Sequence, residues 1–374
     1  MSRSASRMVG RPQRLQLKEL DRLPSIGVAI IGCGYWGMNY VRVYSQLPDA
    51  RVVVACDQRP ERLDEVARRF PGVALTTSVE EALAVPGVEA AVICTQAASH
   101  RAVAGLALQA GKHLLVEKPL TVTVAEADEL IELASAEDRV LLTGHTFLYN
   151  PGVKQVKRLV SDGALGRTYY LYARRTNLGP FRSDVNALWD LAPHDIAIFN
   201  HLLDALPEWA SAVGARVVSN GREDVGFISL GYPDGVLAHI HVSWADPSKV
   251  REFVVVGSDR RIAFNDLDVS ERVRVYDQGV RFDEKEATSF GEHLQVREGD
   301  ITSPALPAIE PLKHLSGHFL HCVRRNERPL TSGRDGRAVV AVMEAIEQSV
   351  ANHGAPVAID ASVYEEASVA GSVR

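Results

Sequence analysis

Three glycines near the start of the chain have the spacing Gly-x-Gly-x-x-Gly. They are Gly32, Gly34 and Gly37, and they directly follow the apolar run 26–31. Glycines at these positions permit a tight turn and let a pyrophosphate approach the N-terminus of the helix that follows. Asp57 ends the next apolar run, where a carboxylate can accept hydrogen bonds from ribose hydroxyls. The spacing therefore predicts a dinucleotide site.

The residues beside this motif indicate which dinucleotide fits. A carboxylate at Asp57 repels the 2′-phosphate of NADP, so the sequence favours NAD(H). Arg59 lies two residues further on, and its guanidinium can pair with that phosphate, so NADP stays an alternative cofactor. The cofactor-binding residues predicted in this part of the chain are Gly32, Gly34, Tyr35, Trp36, Gly37, Asp57 and Gln58.

A lysine and an Asp-x-x-x-His pair have side chains suited to acid–base chemistry. Lys118 follows the apolar run 113–116, which places its ammonium at the carboxyl edge of a sheet, where open α/β folds bind ligands. The peptide bond after Lys118 precedes a proline, and we expect it to be cis. Asp190 and His194 lie on one face if their segment is helical, with Pro193 in the first turn. Histidine suits proton transfer because its unperturbed pKa is about 6.5.

The pattern of apolar runs predicts the elements that position these residues. From residue 25 to 144, short apolar runs alternate with helical patterns, which is typical of a parallel sheet covered on both faces. Beyond residue 147 strand-like runs dominate, and the turn 232–235, Tyr-Pro-Asp-Gly, joins two of them. The predicted fold class is α/β, with an N-terminal doubly wound Rossmann sheet followed by an α+β domain that has a large, mostly antiparallel sheet.

The same pattern divides the chain into three parts. We expect a disordered basic extension over residues 1–23, an NAD(P)-binding Rossmann domain over 24–146, and a substrate-binding and oligomerisation domain over 147–374. In the last part, a helix is predicted over about 193–203 and a loop or lid over 283–308. Helices over about 312–325 and 336–351 are expected to pack back toward the Rossmann domain.

Composition argues against several classes of protein. A net charge of −6 and an aromatic content of 6% disfavour nucleic-acid binding, which needs cationic groups and stacking rings. The sequence has no apolar run of membrane-spanning length, so we expect no membrane partner. The four cysteines form neither a CxxC motif nor a zinc-type cluster with histidine. We therefore expect no metal and a reducing, cytoplasmic location.

Motifs further along the chain resemble those of the Gfo/Idh/MocA oxidoreductase family. They are the Cys-Thr-Gln-Ala-Ala-Ser-His segment at 94–100, the Glu-Lys-Pro motif at 117–119, the Gly-His-Thr-Phe-Leu-Tyr-Asn-Pro segment at 144–151 and the Trp-Asp-Leu-Ala-Pro-His-Asp segment at 189–195. The resemblance extends from about residue 25 to residue 350. It implies an NAD-dependent oxidoreductase that transfers a hydride between nicotinamide and a hydroxyl or keto carbon of a sugar.

The resemblance also implies roles for single residues. In the family, a similar Thr-to-His loop lies beside the nicotinamide ribose, and the Glu-Lys-Pro motif ends the fifth strand. The further cofactor-binding residues that it implies are Thr95, Gln96, His100, Glu117 and Lys118. His194 would take or return the hydroxyl proton, Lys118 would stabilise the alkoxide, and Asp190 would position or electrostatically tune the pair.

The stretches 170–179 and 186–190 resemble a subgroup of the family that acts on nucleotide-linked sugars. The resemblance favours oxidation at C3 of a UDP-linked amino sugar. Arg174 or Arg175 could hold a diphosphate or carboxylate, and alternation along a strand points only one of them into the cleft. The predicted substrate-binding residues are Lys118, Tyr149, Asn150, Arg174, Asn177, Asp190 and His194.

Other functions use the same residues or none of them. An inositol or aldose dehydrogenase, or a glycosidase that uses NAD without net redox change, would keep Lys118 and His194. A non-catalytic dinucleotide sensor would be expected to lack one of the two. His145 is a candidate contact for cofactor or substrate, whereas His239 and His241 are expected to share one face of a sheet. Relatives generally pair through such a sheet, so we expect a homodimer or homotetramer.

Overall fold

The computed structural model describes residues 24–182, 184–218, 221–282 and 294–360, and the basic extension predicted at 1–23 lies outside these ranges. Within them the chain forms two large sheets and one two-stranded sheet. The first large sheet holds the cofactor motifs, and the second carries the helix with the Asp-x-x-x-His pair. The active-site residues therefore come from both parts of the chain.

The first sheet is parallel throughout and has six strands in the order β3-β2-β1-β4-β5-β6. Its strands are β1 (Ile26–Ile31), β2 (Ala50–Cys56), β3 (Ala74–Thr76), β4 (Ala90–Ile93), β5 (His113–Val116) and β6 (Leu141–Thr143). The helices between them are α1 (Tyr35–Tyr44), α2 (Pro60–Arg69), α3 (Val79–Ala84), α4 (His100–Gln109) and α5 (Val124–Ala136). This confirms the predicted Rossmann fold. The strand order reverses between β1 and β4, and ligands bind beyond the carboxyl ends of strands at such a point.

The second sheet has nine strands in the order β16-β13-β12-β11-β7-β10-β9-β8-β17. Its central strands are β7 (Thr168–Leu178), β8 (Trp209–Ala215), β9 (Val225–Gly231), β10 (Leu237–Ser243), β11 (Ala245–Gly257) and β12 (Arg261–Asn265), and its outer strands are β13 (Val273–Tyr276), β16 (Ile301–Thr302) and β17 (Val357–Ala358). All neighbouring pairs are antiparallel except β7 and β10. The predicted large, mostly antiparallel sheet is therefore confirmed.

Four further helices flank this sheet. They are α6 (Pro151–Ser161), α7 (Ala187–Leu203), α8 (Pro311–Arg325) and α9 (Gly333–Ala351). Helix α7 packs against β7, β9 and β10, and covers the buried side chains of Leu171 and Ala173. Tyr170 and Arg174, which alternate with them along β7, face away from the helix and are exposed. Helices α8 and α9 contact α1 and α5 of the first sheet, so apolar packing joins the two parts of the chain.

Two predicted elements differ from the structure. Helix α7 begins at Ala187 rather than near Pro193, because the Asn186 side chain accepts a hydrogen bond of 2.9 Å from the Trp189 amide and caps the helix there. Pro193 thus lies inside the helix rather than in its first turn. In the predicted loop at 283–308, β15 (Leu294–Arg297) pairs with β14 (Gly279–Phe282), and β16 joins the second sheet.

Two features are absent from the described part of the chain. No helix in these ranges is both long and apolar enough to cross a membrane. Among the same residues, no group of three histidine, cysteine or acidic side chains is arranged to hold a metal ion.

Candidate active site

Each of the three glycines in the loop between β1 and α1 is suited to its position for a different structural reason. Gly32 has a φ of +89°, a left-handed conformation that glycine adopts without a steric penalty. A Cβ atom on Gly37 would lie 1.8 Å from the Gly32 carbonyl oxygen, so only glycine allows helix α1 to approach the strand this closely. A Cβ on Gly34 would meet no atom within 4 Å. Gly34 therefore borders open space at the helix N-terminus, where a dinucleotide pyrophosphate fits.

Asp57 lies beside this loop and is buried. Its Oδ2 accepts a hydrogen bond of 2.8 Å from the Cys33 amide, and its Oδ1 accepts from the Arg59 amide and Nε. Burial raises the pKa of Asp57, but the hydrogen bonds from Arg59 and Cys33 outweigh it and hold the pKa below the ordinary value. The carboxylate is thus ionised and ready to accept from ribose hydroxyls, as NAD requires.

Exposed side chains border the same space. Tyr35 is 78% exposed although it is aromatic, and Trp36 is 40% exposed and packs edge-on against the Tyr35 ring. Gln58 and Gln96 are also exposed, and they follow β2 and β4, the two strands that flank β1 in the sheet. These residues and Gly34 lie at the carboxyl edge of the sheet, where open α/β folds bind ligands in a crevice, and their contact with the cofactor stays a prediction.

His100 holds two loops together rather than facing the crevice. The imidazole is buried, with Nδ1 at 2.8 Å from the Pro119 carbonyl oxygen and Nε2 at 3.2 Å from the Thr95 carbonyl oxygen. Burial lowers the pKa of His100. The Thr95 hydroxyl in turn accepts a hydrogen bond from Ser99. The His100 ring thus connects the Thr95 loop to the Lys118–Pro119 turn, and the assignment of His100 to the cofactor stays a prediction.

Glu117 lies next to Lys118 in the chain and bonds to its backbone amide. It is buried, and its Oε1 accepts a hydrogen bond of 2.7 Å from the Tyr40 hydroxyl, while Oε2 accepts from the Lys118 amide. Burial raises the pKa of Glu117 above the ordinary value, against the effects of Tyr40 and Lys118. The Lys118–Pro119 peptide bond is cis, as the sequence predicted. Glu117 thus orients the backbone from which the Lys118 side chain extends.

The Lys118 ammonium reaches the first turn of α7. Nζ donates a hydrogen bond of 2.6 Å to the Asp190 carbonyl oxygen and lies 3.4 Å from Asp190 Oδ1. Asp190 Oδ1 also accepts from Arg182 Nη1 at 3.0 Å, and Oδ2 accepts from Trp244 Nε1 at 3.2 Å. Burial raises the pKa of Asp190, but the charges of Lys118 and Arg182 outweigh this effect and hold the pKa below its ordinary value. The carboxyl group is therefore ionised. Strand β5 and helix α7 thus bring Lys118 and Asp190 together.

His194 lies one turn further along α7, on the same face as Asp190. Its ring packs against Phe147 with centroids 5.0 Å apart, and its Nδ1 is buried without a hydrogen-bond partner. The Arg175 guanidinium stacks on the same phenyl ring at 4.3 Å and forms a buried bidentate pair with Asp195. Burial, followed by the charges of Lys118 and Arg175, lowers the pKa of His194 well below its ordinary value. The imidazole is therefore neutral near pH 7 and available as a base.

His145 is a second imidazole close to this cluster. It is fully buried, and neither ring nitrogen has a hydrogen-bond partner. Burial, with a contribution from the Lys118 charge, lowers the pKa of His145 to about 3. A neutral, unpaired imidazole of this kind is uncommon inside a protein, because buried polar atoms are nearly always hydrogen-bonded.

Several predicted substrate-binding residues lie elsewhere or have other partners. Arg174 faces the open side of the second sheet and pairs with Glu252 at 3.1 Å, because strand alternation turns Arg175 rather than Arg174 toward α7. Tyr149 is buried, with its hydroxyl 3.1 Å from Thr331 Oγ1. These two side chains are therefore not brought into the site, contrary to the prediction.

Asn150 and Asn177 also have internal partners. Asn150 is buried and caps α6, accepting from the Gly152 amide at 2.9 Å and donating to Asp266. The Asn150 side chain thus has internal partners in this structure, and its assignment to substrate stays a prediction. Asn177, at the end of β7, donates to the Gly179 carbonyl oxygen. Gly179 in turn donates its amide to the Trp244 carbonyl, so Asn177 shapes the turn that leads to the site.

Three side chains that surround Asp190 and His194 were not predicted from the sequence. Arg182 lies in the connection between β7 and α7, Trp244 lies between β10 and β11, and Phe147 precedes α6. None of them belongs to a spaced pattern with Lys118 or Asp190, so no sequence signal was available for Arg182 or Trp244. The Gly-His-Thr-Phe segment did contain Phe147, but nothing in it indicated a contact with His194.

Comparisons with known proteins agree with this arrangement. A family model described as an oxidoreductase family with an NAD-binding Rossmann fold matches residues 26–145, and the GFO/IDH/MocA C-terminal domain matches residues 153–263. UDP-N-acetylglucosamine 3-dehydrogenase of Acidithiobacillus ferrooxidans is 30% identical over 259 residues, 67% of this chain and 77% of the relative. D-apiose dehydrogenase of Paraburkholderia graminis is 25% identical over 328 residues, 85% of each chain.

A solved structure has the same fold over most of the chain. The structure of the Acidithiobacillus ferrooxidans UDP-N-acetylglucosamine 3-dehydrogenase has a TM-score of 0.73 and 25% identity, and the match covers 88% of this chain and 98% of that one. Both the nucleotide-binding part and the second sheet are included in a match of this extent. The chain therefore belongs to the Gfo/Idh/MocA family of oxidoreductases, whose Rossmann fold binds NAD.

Proposed function

We propose that the protein is an NAD-dependent dehydrogenase that oxidises a secondary hydroxyl of a sugar, or reduces the corresponding ketone. The observation that carries this proposal is the meeting of Lys118, Asp190 and His194 at the carboxyl edge of the Rossmann sheet. Two relatives with sugar dehydrogenase names support the substrate class. A non-catalytic dinucleotide sensor would have no use for an ionised Asp190 that pairs with a lysine beside a neutral histidine.

Bound NAD supplies the acceptor or donor of the hydride. The residues that would hold it are Asp57 for the adenosine ribose, the glycine loop with Gly34 for the pyrophosphate, and the loop of Thr95 for the nicotinamide side.

Lys118 is placed to bind the reacting oxygen. An ammonium has three N–H donors, and Asp190 accepts at most two of them through its carbonyl and Oδ1. One donor therefore remains for the hydroxyl of the substrate. As the hydroxyl loses its proton, negative charge develops on that oxygen, and a nearby cation in a largely buried site stabilises it strongly.

His194 is placed to move the proton. Its neutral imidazole accepts the hydroxyl proton during oxidation and returns it during reduction. The Phe147 ring fixes the imidazole on one side, and Arg175 beyond the ring disfavours a second positive charge. The lowered pKa of His194 means that the base remains unprotonated at and below neutral pH.

For the substrate, we propose a UDP-linked amino sugar that reacts at C3. The 30% identity to UDP-N-acetylglucosamine 3-dehydrogenase supports it. Two observations favour a second candidate, a free sugar or polyol. Arg174, which was expected to hold the diphosphate, faces away from the site, and the longer alignment is with D-apiose dehydrogenase.

The experiment is a substrate panel followed by NADH absorbance at 340 nm. The purified protein and NAD⁺ are mixed with UDP-N-acetylglucosamine, its uronate, D-apiose, common aldoses or inositol. Turnover with the UDP-sugars alone would support the first candidate, and turnover with free sugars alone would replace it with the second.

The Lys118→Ala variant tests whether turnover depends on the site, and the matched Lys157→Ala variant is its control. Lys157 is a partly buried lysine that pairs with Asp204 away from the site. No turnover in either direction with any substrate, while NADH still binds, would contradict the dehydrogenase proposal and favour a sensor.

A further inference from the structure

The segment between β7 and α7 places one arginine over the catalytic cluster. Arg182 follows Pro180, whose peptide bond with Gly179 is cis, and precedes the cap residue Asn186. Its side chain is 35% exposed, and the ring of the preceding Phe181 packs edge-on against Trp244. Arg182 therefore approaches the site from the second part of the chain, opposite the strand that carries Lys118.

The guanidinium of Arg182 is held at both ends. Nε and Nη2 donate to the two carboxylate oxygens of Asp184 at 2.9 and 2.6 Å, and Nη1 donates to Asp190 Oδ1 at 3.0 Å. Bidentate pairing of this kind fixes the plane of a guanidinium as well as its position. Asp184 thus fixes the orientation of the Arg182 guanidinium, so that Nη1 points toward Asp190.

The distances around Asp190 show which cation holds its carboxylate. Oδ1 lies 3.0 Å from Arg182 Nη1 but 3.4 Å from Lys118 Nζ, while the short bond of Lys118, at 2.6 Å, goes to the Asp190 carbonyl. Trp244 Nε1 holds Oδ2 at 3.2 Å. Between them, Arg182 and Trp244 occupy both oxygens of the carboxylate.

The charges of the cluster lead to the same conclusion. Lys118 and Arg182 contribute two positive charges, and Asp184 and Asp190 contribute two negative ones. Removing Arg182 would leave Lys118 as the one cation bonded to Asp190 in this cluster. Opposite unit charges 3–4 Å apart attract strongly in a partly desolvated site, so the carboxylate would move onto the ammonium.

We propose that Arg182 is a positioning residue, which holds the Asp190 carboxylate and so keeps the Lys118 ammonium free to bind the reacting oxygen. This inference rests on the proposed function, because it assigns to Lys118 the substrate oxygen. A Lys118 whose ammonium is closely paired with the Asp190 carboxylate would have less net positive charge available to the developing alkoxide.

The first test needs no substrate. The Trp244 indole N–H bonds to Asp190 Oδ2, so its ¹H–¹⁵N resonance reports on that carboxylate. The chain has four tryptophans, and Trp244→Phe identifies the signal. We expect Arg182→Met to shift this resonance and to raise the midpoint of its pH titration. An unchanged signal and midpoint would overturn the proposal.

The matched control is Arg260→Met. Arg260 has the same 35% side-chain exposure and also pairs with an aspartate, Asp277, but lies in the turn between β11 and β12. It should leave the Trp244 resonance unchanged. The groups that face Asp190 are Lys118, Arg182 and Trp244, with His194 one turn away, so a shift seen with Arg182→Met alone identifies the guanidinium as its cause.

The second test is kinetic. We expect Arg182→Met to lower kcat by about tenfold or more, with its acid limb moved to higher pH, and Arg182→Lys to restore part of the rate. A higher KM with unchanged kcat and pH profile would instead make Arg182 a substrate contact. If Arg182→Met fails to fold, Arg182→Lys and Asp184→Asn supply the same measurements with smaller effects.

A double-mutant cycle tests the role of Asp184. If Asp184 acts through Arg182, the Asp184→Asn/Arg182→Met double variant is no slower than Arg182→Met alone. Additive losses of rate in the double variant would contradict the proposal that Asp184 acts through Arg182. Absence of turnover with every substrate, together with the expected Trp244 shift, would refute the proposed function but leave the arrangement of Arg182 and Asp190 supported.

Discussion

At the scale of single residues, a few side chains of the candidate site have closely defined environments. Lys118 has a short bond to a carbonyl and a longer one to a carboxylate, and the imidazole of His194 is kept neutral by burial and nearby cations. Sequence motifs identified both residues. The motifs could not show that Arg182, Phe147 and Trp244 complete their surroundings, because these come from distant segments with no common spacing.

We expect Lys118→Ala and His194→Ala each to lower kcat by about 100-fold or more while NADH binding is largely kept. Lys118 loses the charge that stabilises the alkoxide, and His194 loses the base. Turnover and NADH fluorescence titration measure the two effects. Lys157→Ala and His239→Ala, away from the site, are the controls, and near-normal rates in both catalytic variants would contradict the mechanism.

The unpaired His145 makes a prediction about stability and pH. Its folded pKa, about 3, is lower than the unfolded value of about 6.5, so the unfolded chain binds the proton first. Stability from this group is therefore lost as pH falls below 6.5. Between pH 7.5 and 5.5 the loss is about 1.4 kcal/mol.

Urea unfolding at these two pH values measures the effect. In His145→Leu the loss of unfolding free energy between pH 7.5 and 5.5 should be smaller than in the wild type by that amount. His239→Leu, on the exposed sheet face, should keep the wild-type difference. An equal pH dependence in wild type and His145→Leu would show that His145 is not a buried neutral group.

At the scale of elements, the glycine loop and helix α7 carry the site. The sequence predicted the loop correctly because glycine spacing reflects local backbone geometry. It misplaced the start of α7, since a proline usually marks a first turn, whereas here the cap residue Asn186, seven residues before Pro193, decides the boundary. The additional turns place Asp190 inside the helix and within reach of Lys118.

Gly34 and Gly37 offer a matched pair of substitutions. In Gly34→Ala the new methyl meets no protein atom, so thermal stability should stay close to wild type, while NADH affinity falls by about tenfold or more because the methyl occupies the pyrophosphate space. In Gly37→Ala the methyl collides with the Gly32 carbonyl, and stability should fall as well. Calorimetry and NADH titration separate the two effects. Equal loss of stability in both variants would contradict this assignment.

At the scale of the whole molecule, the second sheet has one face covered by α7 and one face open. The open face carries Tyr170 stacked on Tyr172, and Phe227 stacked on His239 and His241. The expected common face of the two histidines is therefore confirmed. An exposed aromatic surface of this kind is typical of a protein contact.

We expect this open face to form a dimer or tetramer. Light scattering after size exclusion should give a multiple of the 40.8 kDa chain mass. The Tyr170→Asp/Phe227→Asp double variant should shift the mass toward the monomer, because it places buried charges in the contact. Val269→Asp, at a highly exposed position in a turn, is the control. A monomeric wild type would contradict the prediction.

The sequence by itself determined the Rossmann fold, the glycine loop with Asp57 and the mostly antiparallel second sheet, and it singled out Lys118, Asp190 and His194 as candidate site residues. These follow from local spacing and from the alternation of apolar and polar residues, which act over a few turns or strands.

Only the tertiary structure decided which arginine faces the site, and that Tyr149, Asn150 and His100 hold the fold together. It also decided that Arg182 and Trp244 donate hydrogen bonds to the Asp190 carboxylate. The physical reason is that contacts between segments far apart in the chain depend on how the sheets and helices pack, and packing leaves no periodic signal in the sequence.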